Sequence, residues 1–136
     1  MAYRICFAVD LFNGPQDRVE SHKVLNVLLN TLVQIDTLYL LSHPETPSIY
    51  QSGVRYVEEP PGLEDWRDIP TCLRERVADC EDLACWLAAE ANVRSGIKAV
   101  PIFGFRTLSN GNVVYHIRVQ YPNGHIEDPS RVLGMR

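Results

Sequence analysis

The chain has 136 residues, of which 46% are apolar and 22% charged, so we expect a single globular domain spanning residues 1–136. The net charge is −4 and the pI is near 5.5. These values disfavour nucleic acid and anionic membranes as main partners, because both require a basic face. The chain start lacks the pattern of a signal peptide, and four cysteines without one favour reduced thiols in a cytosol-like compartment.

The first half of the chain predicts one long helix between two less regular segments. Alternating apolar residues at 3–9 favour a short strand, and apolar residues at helical spacing predict a helix over 16–41. Polar residues interrupt the apolar stretch Val24 to Leu41, so we do not expect a membrane span there. Residues 50–57 are predicted to be extended, residues 58–70 to form a surface loop containing Trp66, and residues 71–77 to form a short helical turn.

The next predicted helix begins at Cys80. Asp79 is a good N-cap, and Asp82 completes a pattern close to a capping box. Apolar residues then recur at helical spacing until Gly96, which suits the position just beyond a helix end. Cys80 should therefore lie in the first turn, on the buried side.

The pattern after Gly96 indicates an antiparallel meander of three strands. The predicted strands cover 98–108, 113–121 and 126–128. Asn110-Gly111 is typical of a two-residue type I′ hairpin. Helices followed by an antiparallel sheet make the expected fold class α+β, with a helix headed by Cys80 packed on the sheet and a further helix at the N-terminus.

The turn after the second strand decides which side chains share a face. Pro122 cannot occupy the first central position of a type I′ turn, which needs positive φ. We therefore predict a type I turn followed by a left-handed Gly124, with Tyr121 opposite His125. This register places His116 and Asp128 on one face as diagonal neighbours, roughly 7 Å apart at the backbone.

Cys80, His116 and Asp128 have complementary chemistry. His116 would take the proton of the Cys80 thiol, Asp128 would orient the imidazole, and the backbone N–H of Cys80 at the helix start would help to bind an oxyanion. Each residue also has a structural interpretation. Cys80 could be a small buried hydrophobe, His116 an exposed residue of a polar strand face, and Asp128 a cap before Pro129.

Other residues were considered for roles in a site. Trp66 either walls a substrate groove or anchors its loop in the core. Arg118 is placed opposite Asp128, where a simple cross-strand pair is favoured over competition for the carboxylate or substrate binding, and Cys85 is assigned to the core. The spacing of cysteines and histidines does not fit a zinc site, so we expect no metal and no cofactor.

Three motifs, all between Trp66 and Met135, resemble those of the transglutaminase-like cysteine protease and acyltransferase superfamily. The stretch from Asp79 to Ala84 resembles G-D-C-x-D-x-A, with Ala78 in place of the glycine. His116 is similar to the strand histidine, and Asp128-Pro129-Ser130 to the D-P-[TS] that carries the third residue. More loosely, the whole chain looks like small transglutaminase-like proteins encoded by tailed phages and prophages.

The resemblance implies thiol-dependent acyl transfer on a peptide or protein amide, either hydrolysis or transglutaminase-like transfer, with Cys80, His116 and Asp128 as the catalytic residues. The alternative is a non-catalytic structural or interaction module of the same fold, whose partners would be phage structural proteins. The expected location is the bacterial host cytoplasm or the virion.

Overall fold

The computed structural model describes residues 3–11, 18–60, 64–107, 109–111 and 113–136. The elements, in chain order, are α1 (Arg18–Ser42), a short 3-10 helix (Ile49–Gln51), β1 (Arg55–Tyr56), α2 (Ile69–Glu75), β2 (Val77–Ala78), α3 (Cys80–Arg94), β3 (Val100–Thr107), β4 (Val113–Gln120), β5 (Ile126–Glu127) and α4 (Pro129–Val132). The α+β class, the N-terminal helix and the antiparallel sheet are confirmed.

Helix α3 is the centre of the protein. Its residues from Cys80 to Ala89 are all buried, because α1 packs on one side and the sheet of β3, β4 and β5 on the other. A helix that is buried all round is typical of a core element. The acidic residues of its first turn, Glu81 and Asp82, are buried as well.

Helix α1 covers α3 with a row of leucines. Leu25, Leu29, Leu32 and Leu40 are buried, and Asp36 accepts a hydrogen bond of 2.9 Å from the backbone N–H of Ile69. Residues Val19–Ser42 are long and apolar enough to cross a membrane by length and composition, with a mean hydropathy of 1.5. A core helix of a soluble protein passes the same test, so the absence of a membrane span stays a prediction.

The predicted strand at residues 3–9 is wrong. Residues 3–11 form no strand, and the side chains of Tyr3, Ile5 and Phe7 are each more than 70% exposed. An ion pair of 3.4 Å joins Arg4 to Glu75. Alternating apolar residues favour a strand only where another strand offers backbone hydrogen bonds, and this segment has no such neighbour among the described residues.

The hairpin between β3 and β4 also differs from its prediction. Thr107 pairs with Val113, and Gly104 pairs with His116, so the loop is centred on Asn110 and contains an odd number of residues. Gly111 has a φ of +86°, whereas Asn110 is not left-handed, and a type I′ turn needs positive φ at both positions. The longer loop shifts the pairing of the two strands, so that Gly104, which has no side chain, lies opposite His116.

The turn between β4 and β5 is confirmed. Gly124 has a φ of +88°, its N–H donates to the carbonyl of Tyr121 at 2.9 Å, and the N–H of Tyr121 donates to His125 at 2.9 Å. Val119 then pairs with Glu127 and Gln120 with Ile126. The register predicted for His116 and Asp128 follows from this turn.

Gly124→Ala should lower the free energy of unfolding by about 1 kcal/mol, because a Cβ disfavours positive φ even where space is open. Gly104→Ala is the matched control, since this strand glycine is not left-handed and an added Cβ meets nothing within 4 Å. Urea denaturation of both variants measures the difference. Equal stability of the two variants would contradict the assigned turn.

Candidate active site

Cys80 lies in the first turn of α3, and a capping box holds that turn in place. The Asp79 carboxylate accepts a hydrogen bond of 2.7 Å from the N–H of Cys80, and Asp82 accepts one of 3.0 Å from the N–H of Asp79. Both sequence predictions, the cap and the position of the cysteine, are confirmed. One consequence contradicts an expectation: the N–H of Cys80 already binds Asp79, so it is not available as an oxyanion donor in this structure.

Arg67, which the sequence analysis passed over, anchors this turn from the preceding loop. Its backbone N–H donates to Asp82 at 2.7 Å, and its guanidinium lies 3.3 Å from Asp82 and 2.9 Å from Glu59. The Asp82 side chain is fully buried. Burial raises the pKa of Asp82 to about 7, while the N–H groups of Arg67 and Asp79 and the guanidinium oppose that rise.

The thiol of Cys80 donates a hydrogen bond to the carboxyl group of Glu81. Its Sγ donates to Oε2 of Glu81 at 3.4 Å, and Cys80 is only 8% exposed. Burial raises the pKa of the thiol strongly, and the charges of Glu81 and Asp79 add to the rise, whereas the N–H of Ile117 opposes it. The lowering of the pKa that a helix N-terminus alone would give is therefore overridden in this structure.

His116 and Asp128 form the hydrogen bond that the predicted register implies. Nε2 of His116 lies 2.7 Å from Oδ2 of Asp128, and both side chains are about 85% buried. Asp128 occupies the N-cap position of α4 but makes no capping hydrogen bond with its side chain. The Asp128 carboxylate therefore hydrogen-bonds His116 and does not cap α4. Arg131 lies 3.6 Å from the same oxygen, whereas no described ion pair joins Arg118 to Asp128.

The structure brings Cys80 alongside the backbone of β4 without bonding it to His116. The backbone N–H of Ile117 forms a hydrogen bond with the Cys80 thiol, which opposes the rise of its pKa. This nitrogen is two covalent bonds from the Cα of His116. Ile117 and Val119 are buried toward α3, whereas His116 and Arg118 alternate with them and are less buried. His116 thus occupies the strand position next to Ile117, and the described hydrogen bonds give Glu81, not His116, as the partner of the Cys80 thiol of α3.

Glu127, next to Asp128, also escaped the sequence analysis. Its two carboxylate oxygens accept hydrogen bonds from the hydroxyls of Tyr50 and Tyr121, the second at 2.7 Å. Burial and the Glu127 carboxylate raise the pKa of both tyrosines. These bonds fix β5 to the core immediately before Asp128. Neither Arg67 nor Glu127 carries a local signal, because their side-chain partners lie six or more residues away, beyond a capping or turn pattern.

Trp66 and the remaining cysteines fit structural roles. The indole N–H of Trp66 donates to Glu64 at 3.1 Å, and its ring packs against the core. This arrangement favours the loop anchor over the groove wall. Cys85 is buried and its Sγ donates to the carbonyl of Leu29 at 3.5 Å, as expected for a core residue. Cys72 is also buried, and Cys6 is exposed.

Two surface depressions, of about 280 and 340 Å³, lie beside the turn at Pro122. Tyr121 and Pro122 line both, and neither is lined by Cys80, His116 or Asp128.

Two groups of side chains could place three ligand atoms around a metal ion. They are Asp79 with Cys80 and Glu81, and Glu59 with Glu81 and Asp82, and in each group the atoms lie within 4.8 Å of one another. The oxygens of Asp79 and Asp82 already accept hydrogen bonds from backbone N–H groups of this turn and of the preceding loop. A metal would have to compete with those bonds.

No protein-family model, curated protein or solved structure matches this chain.

Proposed function

We propose that this protein catalyses thiol-dependent acyl transfer on a peptide or protein amide, with Cys80 as nucleophile, His116 as base and Asp128 as the orienting acid. The observation that carries the proposal is the side chain of Asp128, which bonds His116 at 2.7 Å and leaves the helix that it precedes without a side-chain cap. A purely structural aspartate before Pro129 would be expected to cap α4. The motif resemblance adds the transglutaminase-like or papain-like core as the finer fold.

The hydrogen bond to Asp128 determines which imidazole nitrogen can act. An ionised carboxylate only accepts, so Nε2 of His116 donates, and the neutral ring keeps its lone pair on Nδ1. Asp128 is thereby suited to hold the tautomer in which Nδ1 is the base. It would also stabilise the imidazolium that forms when the ring takes a proton.

The reaction would proceed in two half-reactions. Nδ1 of His116 takes the thiol proton as the sulfur of Cys80 attacks the carbonyl carbon of the substrate. The imidazolium then protonates the leaving amine as the C–N bond breaks, which leaves a thioester on Cys80. Water or a second amine attacks the thioester while His116 removes its proton, the C–S bond breaks, and the departing Cys80 thiolate takes the proton back from the imidazolium.

The environment of the thiol favours proton transfer during attack over a standing thiolate. Burial, Glu81 and Asp79 keep the pKa of the Cys80 thiol high in the resting protein. The base is therefore needed at the moment of reaction, and the proposal requires the His116 imidazole to reach the thiol from the strand position next to Ile117. We accordingly expect little reactivity of Cys80 at low pH in the parent protein.

The rival proposal is a non-catalytic structural or interaction module, for which the motif resemblance suggests a phage particle component. The bond between the buried thiol and Glu81 favours it, as does the position of both surface depressions away from Cys80. In this alternative, Cys80 contributes only packing.

A thiol-directed peptidyl electrophile tests the two proposals. Cys6→Ser is the background, because Cys6 is the exposed thiol whereas Cys72 and Cys85 are buried. Acyl transfer predicts modification at Cys80, its loss in Cys80→Ala, and its retention in Cys85→Ala. Equal labelling of the background and Cys80→Ala proteins would overturn the assignment, and no labelling of a folded sample would favour the structural module.

A further inference from the structure

Glu81 has an unusual position for an acid. It follows Cys80 in the first turn of α3, is only 3% exposed, and its Oε2 accepts the hydrogen bond from the thiol. Its other oxygen, Oε1, is buried and has no hydrogen-bond partner among the described residues. The thiol of Cys80 is thus the one described side chain that bonds this carboxyl group. Burying a carboxyl oxygen without a hydrogen-bond partner costs free energy, so a stabilising role alone does not explain the position of Glu81.

The groups around Glu81 are mostly acidic. The carboxyl groups of Asp79, Asp82 and Glu64 add to burial in raising its pKa, and that of Glu59 also lies close to it. The cation of this region, Arg67, bonds Glu59 and Asp82 and makes no described bond to Glu81. The β4 side contributes the N–H of Ile117 to the thiol. Among the described residues, Glu81 therefore bonds the thiol and pairs with no cation.

We infer that Glu81 is a positioning residue. Its hydrogen bond holds the Cys80 thiol protonated and directed at Glu81 instead of His116, so that breaking this bond makes the nucleophile reactive. The inference rests on the proposed function, and its basis is the bond of 3.4 Å between two buried side chains. A thiol that donates to Oε2 keeps its proton and is directed at an acid. On activation, the S–H···Oε2 hydrogen bond breaks, the proton passes to Nδ1 of His116, and the Cys80 sulfur is left as the attacking group.

A thiol that stays protonated until substrate binds would suit an acyl-transfer enzyme. A buried, protonated thiol resists oxidation and adventitious alkylation, because the thiolate is the reactive form. A substrate that displaces Glu81 on binding would supply the energy to expose the thiol. Reactivity would then be coupled to the presence of substrate.

Glu81→Gln tests the inference, because glutamine keeps the shape of the side chain and removes its charge. In the Cys6→Ser background, iodoacetamide labelling of Cys80 is followed against pH by mass spectrometry of the peptides. We expect the midpoint of the labelling curve to fall by at least about one pH unit, which is about tenfold more thiolate below the midpoint. Glu64→Gln is the control, since it removes a nearby charge that has no described bond to the thiol. An unchanged midpoint in Glu81→Gln, or an equal shift in Glu64→Gln, would overturn the inference.

Cys85 and Cys72 report on general loosening of the fold in the same samples. A merely structural role for Glu81 predicts that all three buried thiols gain reactivity together, and this result would also overturn the inference. Selective gain at Cys80 supports it.

A second variant separates this inference from the proposed function. If His116 is the base, Glu81→Gln combined with His116→Ala should lose most of the gain seen in Glu81→Gln. An undiminished gain would support the role of Glu81 and contradict the role of His116. No gain in Glu81→Gln, together with His116-dependent acylation of the parent, would contradict the role of Glu81 and leave the proposed function intact.

Discussion

Cys80→Ala is expected to reduce hydrolysis of an activated ester, such as a p-nitrophenyl ester, to the rate of the uncatalysed reaction. His116→Ala should slow it by about a hundredfold to ten-thousandfold, the usual contribution of a general base. Asp128→Ala should be milder, because the imidazole can still act from a less favourable tautomer. The double variant Cys80→Ala/His116→Ala should lose no more activity than Cys80→Ala alone, since residues that act as one unit have non-additive effects.

Steady-state rates of the four variants measure this prediction, with Cys85→Ala as the matched control. Cys85 is a second buried cysteine of α3, so its replacement tests the loss of a thiol from the core without touching the site. Independent, multiplying effects of Cys80→Ala and His116→Ala would show that the two residues do not act on the same step.

Arg67→Met should lower the free energy of unfolding by about 3 kcal/mol or more, because it leaves a buried acid without its cation. The guanidinium lies 3.3 Å from Asp82, whose side chain is fully buried, and 2.6 Å from Glu75. Methionine retains the apolar stem of the arginine, so the loss reports the charge and its hydrogen bonds. The expected damage is concentrated at the turn that carries Cys80.

Lys23→Met is the control for Arg67→Met. Lys23 pairs with Glu20 at 3.5 Å on the surface, with both side chains more than two-thirds exposed, and such pairs contribute about 0–1 kcal/mol. Guanidinium denaturation of both variants gives the comparison. A loss for Arg67→Met as small as that for Lys23→Met would contradict the view that the Arg67 cluster anchors the first turn of α3.

Local sequence chemistry was sufficient for the parts of the site that depend on nearby residues. Asp79 and Asp82 predicted the capping box because its partners lie three residues apart. Pro122 and Gly124 predicted the turn, and the turn predicted the register that joins His116 to Asp128. The aspartate and the histidine could therefore be paired without knowing the rest of the fold.

The sequence predictions were wrong where the structure depends on residues that are distant in the sequence. Asn110-Gly111 indicated a turn correctly but not the loop length, which the pairing of Thr107 with Val113 determines. The alternation at residues 3–9 could not show whether a neighbouring strand exists. The state of the Cys80 thiol depends on its burial by the surrounding elements and on the rotamer of Glu81, neither of which a spacing pattern encodes.

The measurement that tests the central claim most directly is the trapping of an acyl group on Cys80. The Cys6→Ser protein is mixed with an activated ester, quenched in acid at successive times, and its cysteine peptides are analysed by mass spectrometry. The account predicts a thioester that forms on Cys80 before steady-state turnover, is absent from Cys72 and Cys85, and forms at least about a hundredfold more slowly in His116→Ala. A thioester that never forms on Cys80, or that forms equally fast without His116, would contradict it.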